Sequence, residues 1–219
     1  DLPIASAQVK SCILFASLFS EGKTTVRERQ ATRNHTEIMF KKFGVPLSIR
    51  DTEDGRDIEM HSPSNLKSTE IDIPGDFSSA AFFILAALII PNSNLTIKNV
   101  GINETRIALL NAFQEMGAEI DIINKTGEFE PRADLKVKFS KLKGINLDTK
   151  LVPNLIDELP AFFVAAAMSS GSTAVRDAAE LRHKESDRLE AMGDVLTSLG
   201  VDFDMHQDGM DINGLDDKK

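Results

Sequence analysis

The chain repeats one order of apolar and polar segments three times, in residues 6–63, 76–143 and 157–215. Each copy starts with a polar residue that leads into a largely apolar helix. A short polar turn, a β-branched strand, an amphipathic second helix and two further strands follow. The pattern therefore predicts a unit of the order α-β-α-β-β, or βαβαββ if a strand before the first helix is counted.

The first helix of each copy is apolar on nearly every side. These helices are predicted from Val9 to Leu18, over residues 80–90 and over residues 161–168, after the polar residues Ser6, Asp76 and Asp157. Helices of this kind belong in a domain interior, so we expect all three to be buried.

The second helix of each copy is amphipathic and is followed by a glycine. In the third copy its apolar residues recur at helical spacing, at Leu189, Met192, Leu196 and Leu199. The closing glycines are Gly44, Gly117 and Gly200. Glycine just past a helix end adopts a left-handed conformation without a Cβ clash. The predicted strands include residues 24–26, 95–97, 120–123, 135–139 and 173–175, with additional strands at 70–73 and 145–147 before two of the apolar helices.

Repeats of this kind bury their apolar faces only by stacking on each other. We therefore predict an α/β (α+β) architecture of buried helices surrounded by outer sheets and amphipathic helices, not a doubly wound sheet. The polar segment 64–69 lacks a periodic pattern and is the predicted linker. It divides the chain into a first domain portion, residues 1–69 with one repeat, and a second, residues 70–219 with two.

Composition narrows the class of protein. The 219 residues are 42% hydrophobic and carry a formal net charge of −9, and Cys12 is the single cysteine. The longest apolar run, residues 80–90, is shorter than the ~20 residues that a membrane span needs. Acidity and the absence of Trp and Tyr disfavour nucleic-acid binding. We expect a cytoplasmic protein that binds neither membranes nor nucleic acid.

The densest charge cluster lies in the third repeat, at residues 180–190. Ser186 is the predicted N-cap of the following helix, which places Lys184 and Glu185 on the loop before it. Backbone N–H groups and cations meet at such a helix start and favour an anion, which Arg188 could clamp with two hydrogen bonds. Glu185 could carry a proton there. The alternative is a solvated, salt-bridged helix start, and the residues alone leave both interpretations open.

Asp157 lies between apolar residues at the start of an apolar helix. It could be a general base whose protonation is tuned by partial burial. It could also be a simple N-cap, as the equivalent position of Asp76 and the nearby Pro160 indicate.

The first repeat offers a second anion site. Ser6, Ala7 and Gln8 begin its apolar helix, where a hydroxyl, an amide and free N–H groups suit a phosphate or carboxylate, although Ser6 could be only a cap. Arg33 stands before the second helix, where the third repeat has its charge cluster. Zinc, calcium and P-loop patterns are absent from the sequence.

Five segments resemble the EPSP synthase family, whose members are 3-phosphoshikimate 1-carboxyvinyltransferases. The segments are residues 3–11, 33–37, 74–81, 155–160 and 180–189, in family order and over nearly the whole chain. The resemblance implies an enolpyruvyl transferase-like α-β prism of six βαβαββ units in two domains. It implies transfer of the enolpyruvyl group of phosphoenolpyruvate to the 5-hydroxyl of shikimate 3-phosphate, in aromatic amino-acid biosynthesis, without a metal or organic cofactor. A full-length member is expected to be monomeric.

The resemblance also implies roles for individual residues. Asp157 would accept the proton of the attacking hydroxyl, and Glu185 would take part in proton transfer at the phosphoenolpyruvate methylene. Arg188 would bind phosphoenolpyruvate. The residues expected to hold shikimate 3-phosphate are Ser6, Ala7, Gln8, Arg33 and Lys184, with Gln8 also near phosphoenolpyruvate. Fixed cations and an acid–base pair are what addition and elimination between two anionic substrates require.

Two departures from the family pattern affect the expected activity. The Lys-Ser…Arg segment near the family's N-terminus, together with a downstream Arg, and the Arg- and Lys-bearing closing segment are missing, which leaves three of six repeats. We therefore expect the chain alone to be inactive or barely active. The alternatives are UDP-N-acetylglucosamine enolpyruvyl transferase and a non-catalytic repeat module that binds anions or a partner protein.

Overall fold

A computed structural model describes residues 1–63 and 65–215, and its helices and strands follow the three predicted repeats. The first repeat contains α1 (Ala7–Ser17), β1 (Lys23–Glu28), α2 (His35–Lys42), β2 (Leu47–Thr52) and β3 (Gly55–His61). The second contains α3 (Phe77–Ile89), β4 (Asn94–Gly101), α4 (Ala108–Glu115), β5 (Ile120–Thr126) and β6 (Arg132–Lys138). A 3₁₀ turn (Thr149–Leu151) and α5 (Val152–Leu155) precede the third repeat, which contains α6 (Leu159–Ala167), β7 (Ser172–Val175), a 3₁₀ turn (Ala179–His183), α7 (Arg188–Ser198), β8 (Asp202–His206) and β9 (Gly209–Asn213).

Each repeat folds its strands into a three-stranded antiparallel sheet with the last strand in the centre. The orders are β1-β3-β2, β4-β6-β5 and β7-β9-β8. The central strand β6 alternates buried and half-buried residues, because successive side chains point to opposite faces. Residues 70–73 and 145–147 do not form the expected strands. Gly75, Lys143 and Asn146 form only isolated parallel bridges, with Val100, Ser170 and Ala174. Pro74 has no N–H to donate, which limits pairing before α3.

The predicted glycine closure of the second helices is confirmed. Gly44, Gly117 and Gly200 follow α2, α4 and α7 with φ values of +77°, +92° and +70°. A residue with a Cβ is strained in this left-handed region, so these turns depend on glycine.

The described residues separate into two compact units. The first comprises Asp1–Ile73 with Gly127–Glu130, and the second comprises Pro74–Thr126 and the chain from Pro131 onward. In the predicted linker, Ser64 lies outside the described residues, as do residues 216–219 of the predicted second domain portion; residues 65–69 form neither helix nor strand.

Each unit has its own hydrophobic core. The core of the first unit consists of Leu2, Leu14, Val26, Phe40, Val45, Ile58 and Met60. The second unit has one continuous core, to which its two repeats both contribute. Phe113 of α4 stacks on Phe162 of α6 with ring centroids 6.4 Å apart. The two repeats of the second unit are therefore one structural body, which fixes the side chains of one repeat against those of the other.

The expectation that all three apolar helices are buried is confirmed for α6 and wrong for one face of α1 and one face of α3. Val9 and Phe15 of α1, and Phe82 and Phe83 of α3, are exposed. Each of these helices packs one face on its core, and the described residues leave the opposite face uncovered. Helices α1 and α3 are thus apolar on nearly every side but are covered by other elements of the described chain on only one face.

A buried ion network connects the elements of the first unit. Lys10 of α1 is fully buried, and its Nζ lies 2.8 Å from Glu37 Oε1 and 3.2 Å from Glu28 Oε2. The hydroxyl of Thr32 donates to Glu28 Oε2 at 2.9 Å. The network ties α1 to β1, to the loop before α2 and to α2 itself. A buried charge has lost its hydration, so it needs a partner of opposite charge and hydrogen bonds to compensate.

Replacing Lys10 by Met should destabilise the first unit by about 3–5 kcal/mol, because Glu28 and Glu37 then remain buried without their cation. Lys23→Met is the matched control, since Lys23 forms an exposed pair with Glu59 at 3.3 Å and should cost less than about 1 kcal/mol. Urea denaturation of both variants measures the difference. Equal losses for the two variants would contradict the role given to the buried network.

Candidate active site

Asp157 lies in the turn between α5 and α6. The N-cap interpretation is wrong: Glu158 occupies the cap position of α6, and the helix begins at Leu159. Pro160 falls in the first turn, as helix-start preferences predict. Asp157 therefore directly precedes the cap residue of α6.

Three cations surround the carboxylate of Asp157. Lys184 Nζ and Arg188 Nη1 lie 3.6 and 3.7 Å from its Oδ1. Arg106 Nη1 lies 3.9 Å from its Oδ2. The side chain of Asp157 is 27% exposed, so the carboxylate is neither sealed in the core nor free in solvent. The structure therefore brings the predicted residues Asp157, Lys184 and Arg188 together.

Glu185 stands at the solvent side of this group. Its side chain is 80% exposed, and its Oε2 accepts from Arg188 Nη2 at 2.7 Å. Its own backbone N–H and then the Arg188 guanidinium lower the pKa of its carboxyl. Lys184 donates to Glu180 at 2.6 Å. Lys184 and Arg188 are thus both also paired with exposed glutamates.

The start of α7 is fixed one residue later than predicted. Asp187, not Ser186, is the N-cap, and its Oδ1 accepts from the N–H of Glu190 at 3.0 Å. Arg182 donates to Asp187 Oδ2 at 2.7 Å and to the carbonyls of His206 and Gln207 at 2.9 and 2.8 Å. The β8–β9 hairpin therefore holds the start of α7, and with it Arg188.

A second arginine stabilises that hairpin. Arg176 donates two parallel hydrogen bonds to Asp211, both at 2.8 Å, and His206 Nε2 lies 2.9 Å from Asp211 Oδ2. The Arg176 guanidinium, followed by His206, lowers the pKa of Asp211 to about 2. This group connects all three strands of the third sheet, because Arg176 directly follows β7, His206 ends β8 and Asp211 lies in β9.

Sequence reasoning missed Arg106 and its partners. Arg106 Nη2 donates to Glu158 Oε1 at 3.0 Å and to the hydroxyl of Ser78, which donates to the same carboxylate oxygen. The signal that could have found Arg106 is its place before α4. Arg33 lies two residues before α2, as Arg106 lies two residues before α4, and in the third repeat Lys184 and Arg188 stand on either side of the N-cap of α7.

The first unit places the other predicted residues around the start of α1 and before α2. Ser6 is the N-cap of α1, and its Oγ accepts from the N–H of Val9 at 3.3 Å. Ala7 is half-buried, Gln8 is exposed, and both belong to the first turn. Arg33 is half-buried and directly follows Thr32, which the Lys10 network holds. Ser6 therefore has the capping role, and the first turn of α1 remains accessible.

Residues 1–63 and 65–215 contain no group of three or more His, Cys, Asp or Glu side chains arranged to hold a metal ion. Over the same residues, no helix has both the length and the apolarity needed to cross a membrane.

Solved structures with the same fold define the class of protein. The EPSP synthase of Acinetobacter baumannii superposes with a TM-score of 0.86 at 43% identity, covering 98% of this chain and 48% of that one. The enolpyruvyl transferase NikO of Streptomyces tendae superposes with a TM-score of 0.70 over 96% of this chain and 47% of its own, at 15% identity, a likeness of fold alone. The chain therefore has the α/β fold of the enolpyruvyl transferases.

Sequence comparison narrows the class to a family. The family model for EPSP synthase (3-phosphoshikimate 1-carboxyvinyltransferase) matches residues 1–218. The 3-phosphoshikimate 1-carboxyvinyltransferase of Methylococcus capsulatus is 47% identical over 215 residues, and that of Petrotoga mobilis is 48% identical over 213. Each alignment covers 97% of this chain, and it covers 48% and 49% of the respective relative. The chain belongs to the EPSP synthase family, and it spans about half the length of these relatives.

Replacing Asp211 by Asn should cost about 1 kcal/mol of stability at pH 7, a value kept low because the ion pair is partly exposed. The folded-state pKa of Asp211 is about 2, below the ordinary 3.8. The carboxylate therefore stabilises the fold above pH 3.8, and this contribution is lost as the pH falls from there toward 2. Urea denaturation at several pH values should show the difference from the unmutated chain shrinking over that window. Asp194→Asn, an exposed change on α7, is the control. A difference that stays constant with pH would contradict the assignment.

Proposed function

We propose that this chain supplies the acid–base group of an enzyme that transfers the enolpyruvyl group of phosphoenolpyruvate to the 5-hydroxyl of shikimate 3-phosphate. The observation that carries the proposal is the carboxylate of Asp157 within 3.9 Å of Arg106, Lys184 and Arg188. Membership of the EPSP synthase family supports this acceptor over UDP-N-acetylglucosamine.

The proposed reaction uses the carboxylates of Asp157 and Glu185. Asp157 accepts the proton of the 5-hydroxyl as that oxygen bonds to the C2 atom of phosphoenolpyruvate. Glu185, which becomes protonated once an incoming anion has displaced it from Arg188, donates a proton to the C3 methylene. Loss of a C3 proton to Glu185 and departure of phosphate from C2 then restore the double bond. Positioned acids and bases contribute about 10²–10⁴-fold each to such steps.

The cations provide the electrostatic part of the proposed site. Arg188 would bind phosphoenolpyruvate, and Lys184 would bind shikimate 3-phosphate. The side-chain contacts of both are to Asp157 and to exposed glutamates, so an incoming phosphate or carboxylate can replace the glutamates. Fixed cations stabilise the charge that develops on the tetrahedral intermediate.

The start of α1 is the proposed second contact region for shikimate 3-phosphate. An 11-residue helix presents N–H groups and the positive end of its dipole at Ser6, Ala7 and Gln8. Arg33 adds a guanidinium from the loop before α2. We assign these four residues to the phosphate and hydroxyl groups of this substrate, and Gln8 also to phosphoenolpyruvate.

The assignment extends to the organisation of the enzyme. We propose that residues 1–69 are the last repeat of a first domain and residues 70–219 are two repeats of a second. The active enzyme would contain further repeats, be monomeric and work in the cytoplasm without a metal or organic cofactor. The three repeats of this chain cover only about half of each relative, which supports the presence of further repeats in the active enzyme.

Replacing Asp157 by Asn in the full-length protein should lower kcat about 10³-fold, and Glu185→Gln should lower it about 10²-fold. Each amide has nearly the shape of the carboxyl group that it replaces but cannot carry the proton. Phosphate release from phosphoenolpyruvate and shikimate 3-phosphate is the measurement. Asp194→Asn makes the same charge change at an exposed position of α7 and should stay within about twofold. Unchanged turnover by the Asp157 variant would refute the catalytic assignment.

The purified 219-residue chain should release phosphate at less than about 1% of the full-length rate, because a misplaced or incomplete set of charges forfeits most of the rate enhancement. The two proteins are compared at equal concentration in the same assay. Full turnover by the isolated chain would show that these three repeats hold the complete site.

A further inference from the structure

Arg106 is the third cation at Asp157, beside Lys184 and Arg188. Resting on the proposed function of Asp157, we propose that Arg106 is a positioning residue, held by Glu158 and Ser78, that fixes the Asp157 carboxylate for proton transfer. Its contacts, burial and place in the repeat carry the inference.

The anchoring of Arg106 differs from that of the other two cations. Its side chain is 12% exposed, and that of its partner Glu158 is 1% exposed. The partners of Lys184 and Arg188 at the solvent side, Glu180 and Glu185, are 53% and 80% exposed. An anionic substrate can therefore compete for Lys184 and Arg188, whereas Arg106 is tied to a carboxylate inside the protein.

The charge of Glu158 keeps Arg106 in place. Glu158 Oε1 accepts from Arg106 at 3.0 Å and from Ser78, and its buried Oε2 has no hydrogen-bond partner. A buried carboxylate with one unsatisfied oxygen depends strongly on its cation, because breaking such a pair leaves an uncompensated buried charge. Arg106 is thus a fixed positive charge while Lys184 and Arg188 are free to turn to substrates.

The same contacts fix the geometry of Asp157. Glu158 is its chain neighbour, so holding the Glu158 side chain restrains the peptide between the two residues. Arg106 Nη1 reaches Asp157 Oδ2 from one side, while Lys184 and Arg188 approach Oδ1. The second repeat therefore supports a site whose other members belong to the third repeat.

The contacts of Arg106 also distinguish a positioning role from substrate binding. Arg33 and Arg106 each lie two residues before the second helix of their repeat, whereas Lys184 lies in the loop before α7 and Arg188 is the first residue of that helix. Nη2 of Arg106 donates to Glu158 and Ser78, and Nη1 faces Asp157. We therefore expect loss of Arg106 to affect kcat and not the KM of either substrate.

A first test uses the 219-residue chain and needs no activity. In Arg106→Met with Glu158→Gln, which removes both charges of the buried pair together, the Asp157 carboxylate should move by about 1 Å or more, a displacement that matters for catalysis. Crystal structures of the variant and the unmutated chain give the distance from Asp157 Oδ1 to Lys184 Nζ. An Asp157 turn that superposes without change would overturn the proposal.

A second test uses turnover of the full-length protein. The same double variant should lower kcat about 10–100-fold with both KM values within about twofold, and Arg106→Lys should recover part of the loss. In the Asp157→Asn background it should cause no further loss, because Arg106 acts through Asp157. A raised KM for either substrate, or a full loss in that background, would overturn positioning in favour of direct substrate contact.

The matched control is Arg27→Met with Asp57→Asn, which removes an arginine–aspartate pair of 2.8 Å on the first sheet and should leave kcat unchanged. Failure of the proposed function has a different signature, since Asp157→Asn alone would then keep full turnover. In that case the crystal structures still decide whether Arg106 positions the Asp157 turn.

Discussion

The candidate site depends on keeping a carboxylate among three cations at the meeting point of two repeats. Asp157 sits in the turn before α6, Arg106 comes from the second repeat, and Lys184 and Arg188 come from the third. Each cation stays within 4 Å of the Asp157 carboxylate. The positions are held because both repeats share one core, in which Phe113 stacks on Phe162. A dense apolar core transmits position well, since its side chains have few alternative arrangements. The electrostatics of the site therefore rests on hydrophobic contacts behind it.

Supporting ion pairs and exposed ion pairs do different work in this structure. Lys10 and Arg106 are tied to carboxylates that are almost fully buried, where an unpaired charge is costly. Lys184 and Arg188 pair with glutamates in solvent, where an ion pair contributes less than about 1 kcal/mol. A phosphate or carboxylate ligand can displace the second kind of partner and not the first. Burial of the partner, more than the type of cation, thus separates a binding group from a supporting one.

The sequence predicted the repeats, the strand and helix order and the glycine closures because these follow from local periodicity and backbone preference. The family resemblance implied that Asp157, Lys184 and Arg188 share one site, and the structure brings these three side chains together. The sequence pattern placed the start of α7 one residue early, because Ser186 and Asp187 are both good caps and only the contacts of Arg182 select Asp187. The Lys10 network and the Arg106–Glu158 pair were not predictable, since their partners are distant in sequence. A lysine in an apolar helix gives no sign of which carboxylates will surround it.

The three repeats share a backbone plan but use equivalent positions for different purposes. In the first and third repeats the start of the apolar helix and the cation before the second helix are both candidate substrate contacts. In the second repeat, Asp76 caps α3 through Ser79, while Ser78 joins Arg106 in holding Glu158. The second repeat has the same arrangement of cation and helix start, but the partner of its cation is a carboxylate of the neighbouring repeat and not a substrate. Repetition thus supplies both the site and its support, and the identity of the residue that faces each cation decides which of the two a repeat provides.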